Sequence, residues 1–172
     1  MRTDVGLCTL NFLFLGGDGR RYIGTAGHCV LDKGGEQAWP PGAGPVARAG
    51  AGARIGEFAY AVLDDPADFG LVRLDAAVPA SPEVCHFGGP TGLYHDLSAL
   101  PLPVVLHHYG NGSLVGDILP GRTALALGTP DADHVYATGV VLPGDSGSPV
   151  TTLDGRAVGV VVTTGLHLGS VG

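Results

Sequence analysis

Pro143-Gly144-Asp145-Ser146-Gly147-Ser148-Pro149-Val150 lies between two valine-rich runs, and the interpretation of the whole chain depends on it. Glycine on both sides of the serine permits backbone angles that other residues resist. A serine in such a turn can expose its hydroxyl while its own N–H and the N–H two residues earlier point at one spot. That is the local geometry of a nucleophile with an oxyanion hole. The same residue types also form ordinary turns, so the stretch alone leaves both interpretations open.

The composition is that of a globular chain built from many short segments. The 172 residues are 45% hydrophobic and 15% charged, and they include 30 glycines and 13 prolines. A chain of this length can form one sizeable core or two small barrels packed together. Frequent glycine and proline favour short strands over helices.

Several function classes are disfavoured by charge and hydropathy. The net charge is −7, and no stripe of Lys and Arg is present, so nucleic acid is not expected as a partner. Without a run of about 18 apolar residues, no membrane span is expected. His and Cys do not cluster at zinc-ligand spacing, and no metal or organic cofactor is implied.

Turn residues predict a series of short strands. Residues 5–15 are an apolar run that ends at Gly16-Gly17-Asp18-Gly19, which is a hairpin signal, and residues 20–26 are expected to be the returning strand. Residues 32–52 are expected to be mostly loop. Further strands are expected near Val46 and at 53–62, 69–74, 102–108, 113–119, 122–128, 134–141, 148–153 and 156–164.

The three cysteines allow at most one intrachain pair. The first hairpin brings Cys8 near Cys29, which favours a disulfide; a reduced buried pair is the alternative. Cys85 is expected to be a small buried hydrophobic residue.

Two upstream residues could provide the Ser146 hydroxyl with a base. His28 follows a predicted strand, and Asp68 stands at the mouth of the apolar strand 69–74. Asp64 or Asp65 could replace Asp68. We prefer Asp68 because it directly abuts the apolar strand and would be the most buried of the three.

Three blocks of the sequence resemble a known family. Thr25-Ala26-Gly27-His28-Cys29, Asp68-Phe69-Gly70-Leu71-Val72-Arg73-Leu74 and Gly144-Asp145-Ser146-Gly147-Ser148-Pro149-Val150 resemble, in this order, the signature blocks of the chymotrypsin-like (trypsin-fold) serine proteases. The similarity is greatest to the compact bacterial members and covers about residues 5–165. It implies an all-β fold of two six-stranded antiparallel β-barrels with the active site at their seam.

The expected division of the chain follows from this resemblance. Residues 1–78 would form the N-terminal barrel, 79–101 the crossover and 102–172 the C-terminal barrel. Because the chain stops at Gly172, soon after the expected edge strand, a truncated second barrel is one expectation, and completion by a second copy is another.

The resemblance also implies catalytic roles. Ser146 would be the nucleophile and His28 the general base, while Asp68 would hold the His28 tautomer and stabilise the imidazolium. The backbone N–H groups of Gly144 and Ser146 would form the oxyanion hole.

Activation in the animal members needs a freed N-terminus that pairs with the Asp before the nucleophile. Bacterial relatives use an internal arginine, and Gly121-Arg122-Thr123 resembles that block. The resemblance therefore implies a buried ion pair between Arg122 and Asp145. An exposed arginine and a solvated aspartate are the alternative.

The substrate site is implied by position relative to Ser146. The segment Val140, Val141 and Leu142 is apolar, which favours an apolar or small residue before the scissile bond and disfavours cleavage after Lys or Arg. The expected substrate-binding edge strand contains Thr163, Thr164 and Gly165. Thr163 would hydrogen-bond Asp68, and Gly165 would pair with the substrate backbone.

Alternatives to this assignment stay open. Ser148 in the motif also occurs in glutamyl endopeptidases, in which case His167 and Thr163 are candidates to hold the substrate carboxylate. The chain could instead be a catalytically weak trypsin-fold binding module, or a protease domain whose pocket a partner completes.

The expected partners are a polypeptide substrate and, as the resemblance allows, a protein inhibitor, for a monomer or weak homo-oligomer. A disulfide favours a secreted or extracytoplasmic location. The start of the chain lacks the apolar core of a secretory signal, which leaves a cytosolic location open.

Overall fold

The computed structural model describes residues 1–112, 118–128 and 133–162, together with the backbone of two short strands at 164–165 and 170–171. The described residues contain two three-residue 3-10 turns, Gly27–Cys29 and Leu97–Ala99, and no α-helix. Within these ranges no helix is long and apolar enough to cross a membrane.

Fourteen strands make up the rest of the described secondary structure. They are β1 (Leu13–Leu15), β2 (Arg21–Thr25), β3 (Gly35–Ala38), β4 (Val46–Arg48), β5 (Arg54–Asp64), β6 (Ala67–Leu74), β7 (Gly92–Leu93), β8 (Val104–Tyr109), β9 (Gly121–Gly128), β10 (Tyr136–Gly139), β11 (Pro149–Thr152), β12 (Arg156–Val160), β13 (Thr164–Gly165) and β14 (Ser170–Val171).

The first sheet contains β1 to β6 and is antiparallel throughout. Its order is β1-β2-β6-β5-β3, with β4 also paired to β5. The long β5–β6 hairpin is its centre, and Phe58 and Val72, which pair across it, are fully buried. Burial of these side chains against Ala47 and Cys29 provides the apolar core of this half.

The second sheet has the order β13-β14-β10-β9-β8-β11-β12-β7. Its core consists of small and aliphatic side chains, namely Leu106, Ala124, Ala126, Ala137 and Val161. The all-β prediction with two sheet units is therefore confirmed. In the described residues the second unit has eight strands where six were expected: the five longer strands β8 to β12 and the two-residue strands β7, β13 and β14. Strand β7 runs parallel to β12.

Two of the strand predictions differ from the structure. The first strand is confined to Leu13–Leu15, because Asn11 and Phe12 both bond to Gly24 of β2 and so interrupt the regular ladder, while Thr9 bonds to the Ser146 loop. β3 arises in a stretch expected to be loop, where Gly35–Ala38 pairs with the extended end of β5. Most of the strand expected at 113–119 lies outside the described residues. The division of the chain at 79–101 stays a prediction.

The cysteines are partly as expected. Cys8 and Cys29 form a disulfide, which confirms that prediction. The expectation for Cys85 is wrong, because its side chain is exposed. It lies in a turn in which the neighbouring Val84 takes the buried position and accepts hydrogen bonds from the N–H groups of Phe87 and Gly88.

Candidate active site

His28 and Asp68 form a hydrogen-bonded pair. His28 lies in the 3-10 turn after β2, and Asp68 is the second residue of β6. The Nδ1 atom of His28 lies 2.7 Å from Oδ2 of Asp68, and the His28 backbone N–H donates to Oδ1 at 3.0 Å. The turn can approach β5 this closely because residue 27 is glycine: a Cβ there would collide with the carbonyl of Val62.

This contact determines the tautomer of the imidazole. An ionised carboxylate only accepts hydrogen bonds, so the proton of neutral His28 lies on Nδ1 and Nε2 carries the lone pair. The imidazole side chain is 32% exposed and the carboxylate 15% exposed. The Nε2 atom of His28 is therefore a basic nitrogen near the surface, and Asp68 binds the other ring nitrogen, Nδ1.

Asp68 is the one of the three candidate acids that contacts His28 in the described part of the chain. The side chain of Asp65 is 96% exposed, and its Oδ1 atom lies 3.9 Å from Nε2 of His134. Asp64 ends β5 and is exposed. The preference for the acid that abuts the apolar strand agrees with this arrangement.

The loop that contains Ser146 is fastened to the first sheet by Thr9. The Thr9 backbone N–H donates to the Ser146 carbonyl at 2.8 Å, and the Thr9 hydroxyl donates to the Gly144 carbonyl at 2.8 Å. The Thr25 hydroxyl donates to the Thr9 carbonyl at 2.9 Å. Thr9 is 2% exposed, so these bonds are shielded from water. Sequence reasoning missed Thr9, since a single threonine beside a cysteine carries no signal of such contacts.

Gly147 allows the close approach of this loop to the end of β2. Its φ is +85°, and a Cβ there would lie 2.5 Å from the Thr25 hydroxyl oxygen and the Thr9 carbonyl oxygen. No other residue type could occupy the position without strain. The contact places Gly147, the residue after Ser146, against Thr25 and Ala26, which directly precede the turn that carries His28. The structure records no hydrogen bond between the Ser146 hydroxyl and the His28 ring within its described residues.

The backbone N–H groups of this loop divide into two sets. Those of Asp145, Gly147 and Ser148 donate to the carbonyls of Leu142, Val161 and Asp145, respectively. Across the described ranges, those of Gly144 and Ser146 donate to no protein acceptor. These are the two donors expected in an oxyanion hole, and they are available to bind an external anion or carbonyl oxygen.

Arg122 and Asp145 form a buried ion pair beneath the loop. Nη2 of Arg122 donates to Oδ1 of Asp145 at 2.6 Å, and Oδ2 accepts the Leu142 N–H at 2.8 Å. Both acidic oxygens are thereby satisfied away from water. The pair ties the loop before Ser146 to β9.

The residues expected to bind substrate lie in two places. Val140, Val141 and Leu142 precede the loop, and the Leu142 N–H is bound by Asp145. Thr163 lies outside the described residues, as does His167. For Thr164 and Gly165 the backbone forms β13 at the end of the second sheet, paired with β14.

One group of potential metal ligands occurs within the described ranges. Ligand atoms of Cys8, His28 and Cys29 lie within 4.8 Å of one another. The disulfide joins the two sulfur atoms, so neither is a thiolate that could bind a metal.

Solved structures with this arrangement of strands are serine proteases. Cellulomonas bogoriensis chymotrypsin is similar with a TM-score of 0.60 and 20% identity, over 96% of this chain and 82% of that chain. A glutamic acid-specific serine protease that utilises a novel histidine triad in substrate binding is similar with a TM-score of 0.60 and 19% identity, over 95% and 84%. Thermobifida fusca protease A is similar with a TM-score of 0.58 and 22% identity, over 95% of this chain and 82% of that chain.

The likeness to these proteins is one of structure more than of sequence. No protein-family model matches the chain, and no curated protein matches its sequence. The chain has the fold of the bacterial chymotrypsin-like serine proteases over most of its length.

Proposed function

We propose that this protein is a serine endopeptidase that hydrolyses peptide bonds through Ser146, His28 and Asp68. The observation that carries the proposal is the 2.7 Å contact between Nδ1 of His28 and Asp68, in a turn that directly follows the Thr25–Ala26 segment contacted by Gly147. It is supported by the N–H groups of Gly144 and Ser146, which donate to no acceptor among the described residues, and by the fold shared with serine proteases.

In the proposed mechanism the reaction proceeds through an acyl-enzyme. The Ser146 hydroxyl oxygen attacks the scissile carbonyl carbon while Nε2 of His28 takes the hydroxyl proton. The N–H groups of Gly144 and Ser146 stabilise the oxyanion, and Asp68 stabilises the imidazolium. The imidazolium then protonates the leaving amine as the C–N bond breaks. Water, deprotonated by His28, cleaves the ester and restores the Ser146 hydroxyl.

The substrate is proposed to be a polypeptide with an apolar or small residue before the scissile bond. Val140, Val141 and Leu142 precede the loop in the chain and carry no charge that would attract Lys or Arg. A profile of cleavage of a peptide library tests this preference, and dominant cleavage after Lys, Arg or Glu would contradict it.

Labelling with a fluorophosphonate tests the catalytic assignment. The folded protein should form a covalent adduct that peptide mapping locates on Ser146. Ser146→Ala should abolish the adduct, and His28→Ala should greatly lower the rate at which the adduct forms. Ser148→Ala, two residues later in the same loop, should leave the labelling of Ser146 unchanged. A folded protein without an adduct on Ser146 would favour the binding-module alternative.

An extracytoplasmic location is the proposed setting. The Cys8–Cys29 disulfide lies directly beside the His28 turn, and such bonds persist in oxidising compartments. Fractionation of the source cells, with detection of the oxidised chain outside the cytoplasm, tests this proposal.

A further inference from the structure

A cavity of about 210 Å³ is lined mainly by residues of the second half of the chain, and Asp68 also contributes to its wall. Its walls are mainly aliphatic, with Leu106, Val150, Val158 and Val161 among them. Val140, Val141 and Leu142 do not line it. The cavity is therefore distinct from the pocket that the sequence predicts for substrate.

One polar side chain, His108, is buried in the wall of this cavity. On β8 the side chains alternate, so Leu106 and His108 point inwards, whereas His107 stacks on Phe87 on the opposite face, with ring centroids 4.2 Å apart. His108 is 2% exposed, and neither of its ring nitrogens has a hydrogen-bond partner among the described residues. A buried polar group without a partner is rare in proteins, because leaving it unpaired costs free energy.

The surroundings of His108 favour the neutral form of its ring. Burial lowers the pKa of the imidazole, and the nearby charge of Arg122 lowers it further. The charge of Asp145 and the Val140 carbonyl, which lies near the ring but outside hydrogen-bonding geometry, act in the opposite direction. A neutral imidazole offers one N–H donor and one nitrogen acceptor to whatever occupies the cavity.

We propose that the cavity binds a small neutral group that has an apolar body and one hydroxyl, with the hydroxyl on His108. A cavity of about 150 Å³ lined by apolar side chains is large enough for benzene, so this one can hold a substituted ring of about nine non-hydrogen atoms. The carboxylates of Asp68 and Asp133 also line it and disfavour an anion. Both oxygens of Asp68 already bind His28, so a cation beside His108 and the aliphatic walls would not be paired by Asp68.

Such a group could come from two sources, a free solute or a phenolic side chain of a substrate. Binding itself does not depend on the proposed peptidase activity, and it is measured by calorimetric titration with 4-ethylphenol and with ethylbenzene. These probes share the apolar body and differ in the hydroxyl. We expect 4-ethylphenol to bind about tenfold more tightly, since ethylbenzene leaves His108 unpaired.

Two variants separate the hydroxyl contact from simple filling of space. His108→Leu should remove the preference for 4-ethylphenol, and Val158→Phe, which fills the cavity, should abolish binding of both probes. If the wild type binds neither probe, or binds both equally, the proposal is wrong. The comparison of the two probes on the wild type decides this even where a variant fails to fold.

The mode in which 4-ethylphenol inhibits peptide hydrolysis decides the source of the group. This experiment alone rests on the proposed function. Competitive inhibition of peptide hydrolysis by 4-ethylphenol, together with faster hydrolysis of peptides that carry Tyr than of the same peptides with Phe, assigns the cavity to a substrate side chain. Non-competitive inhibition, or binding without inhibition, assigns it to a free solute beside Asp68. If the protein proves to have no peptidase activity, the binding result stands independently.

Discussion

Nη2 of Arg122 lies 2.6 Å from Oδ1 of Asp145, and the two side chains are 8% and 0% exposed. Asp145 precedes Ser146, so the pair supports the loop from below. Removing one partner of a buried pair leaves an uncompensated charge in the interior, which costs more than the net contribution of the pair.

Arg122→Ala should therefore lower the free energy of unfolding by about 3–5 kcal/mol and reduce labelling of Ser146. Denaturant unfolding and the rate of fluorophosphonate labelling check this. The matched control is Arg156→Ala, which removes an exposed pair with Asp154 and should cost less than about 1 kcal/mol. Equal stability of the two variants would contradict the role assigned to Arg122.

Asp68→Asn should preserve the fold and lower kcat by about 10⁴-fold, because an amide cannot hold Nδ1 protonated and stabilise the imidazolium. Hydrolysis of a chromogenic ester measures the effect. Asp65→Asn, at an exposed position three residues earlier, should leave kcat unchanged. A large decrease of kcat in Asp65→Asn, with little decrease in Asp68→Asn, would assign the acid that pairs with His28 to Asp65.

Thr9→Val should lower stability by about 1–3 kcal/mol, because the Gly144 carbonyl and the Asn111 N–H both lose the Thr9 hydroxyl as a partner. Misplacement of the loop should also slow labelling of Ser146 about tenfold or more. Thr9→Ser keeps the hydroxyl and should restore the labelling rate. If Ser146 is labelled at the same rate in Thr9→Val and in Thr9→Ser, Thr9 does not position the loop.

Replacing both Cys8 and Cys29 by serine should cost about 3 kcal/mol of stability, as expected for a bond that closes a loop with a sequence separation of 21. Thermal unfolding measures the loss. Cys85→Ser, at an exposed free thiol, should change stability by less than about 0.5 kcal/mol. A reductant should destabilise the wild type and leave the double variant unchanged.

Because His108 is buried, the free energy of unfolding should decrease in acid. Its pKa is lowered in the fold, so below the ordinary value of 6.5 the unfolded chain takes up a proton that the folded protein does not. The wild type should therefore lose about 1 kcal/mol more than His108→Leu between pH 7.5 and 5.5. Urea unfolding at pH 7.5 and at pH 5.5 checks this. The control is His95→Leu, at an exposed position, whose loss of stability should equal that of the wild type.

Much of the candidate site could be predicted from local chemistry. Gly144, Ser146 and Gly147 carry a turn signal that depends only on neighbouring residues, and the apolar strand after Asp68 indicated which acid would be buried. The cysteine count and the first hairpin favoured the Cys8–Cys29 bond before any contact was known. By contrast, Cys85 was misjudged, because burial of a single small residue depends on which neighbour in its turn faces the core.

Turn propensity and alternation act over a few residues, so the all-β class and the motifs could be predicted from the sequence. The contacts of Thr9 with the Ser146 loop, of β7 with the second sheet, and of His108 with a cavity in which it has no hydrogen-bond partner among the described residues depend on the folded chain. They join residues far apart in the chain, and their free energy depends on the packing around them. Asp145 is a turn residue by its neighbours alone, and its pairing with Arg122 could be expected only through the resemblance of Gly121-Arg122-Thr123 to the bacterial block, because the partners are 23 residues apart.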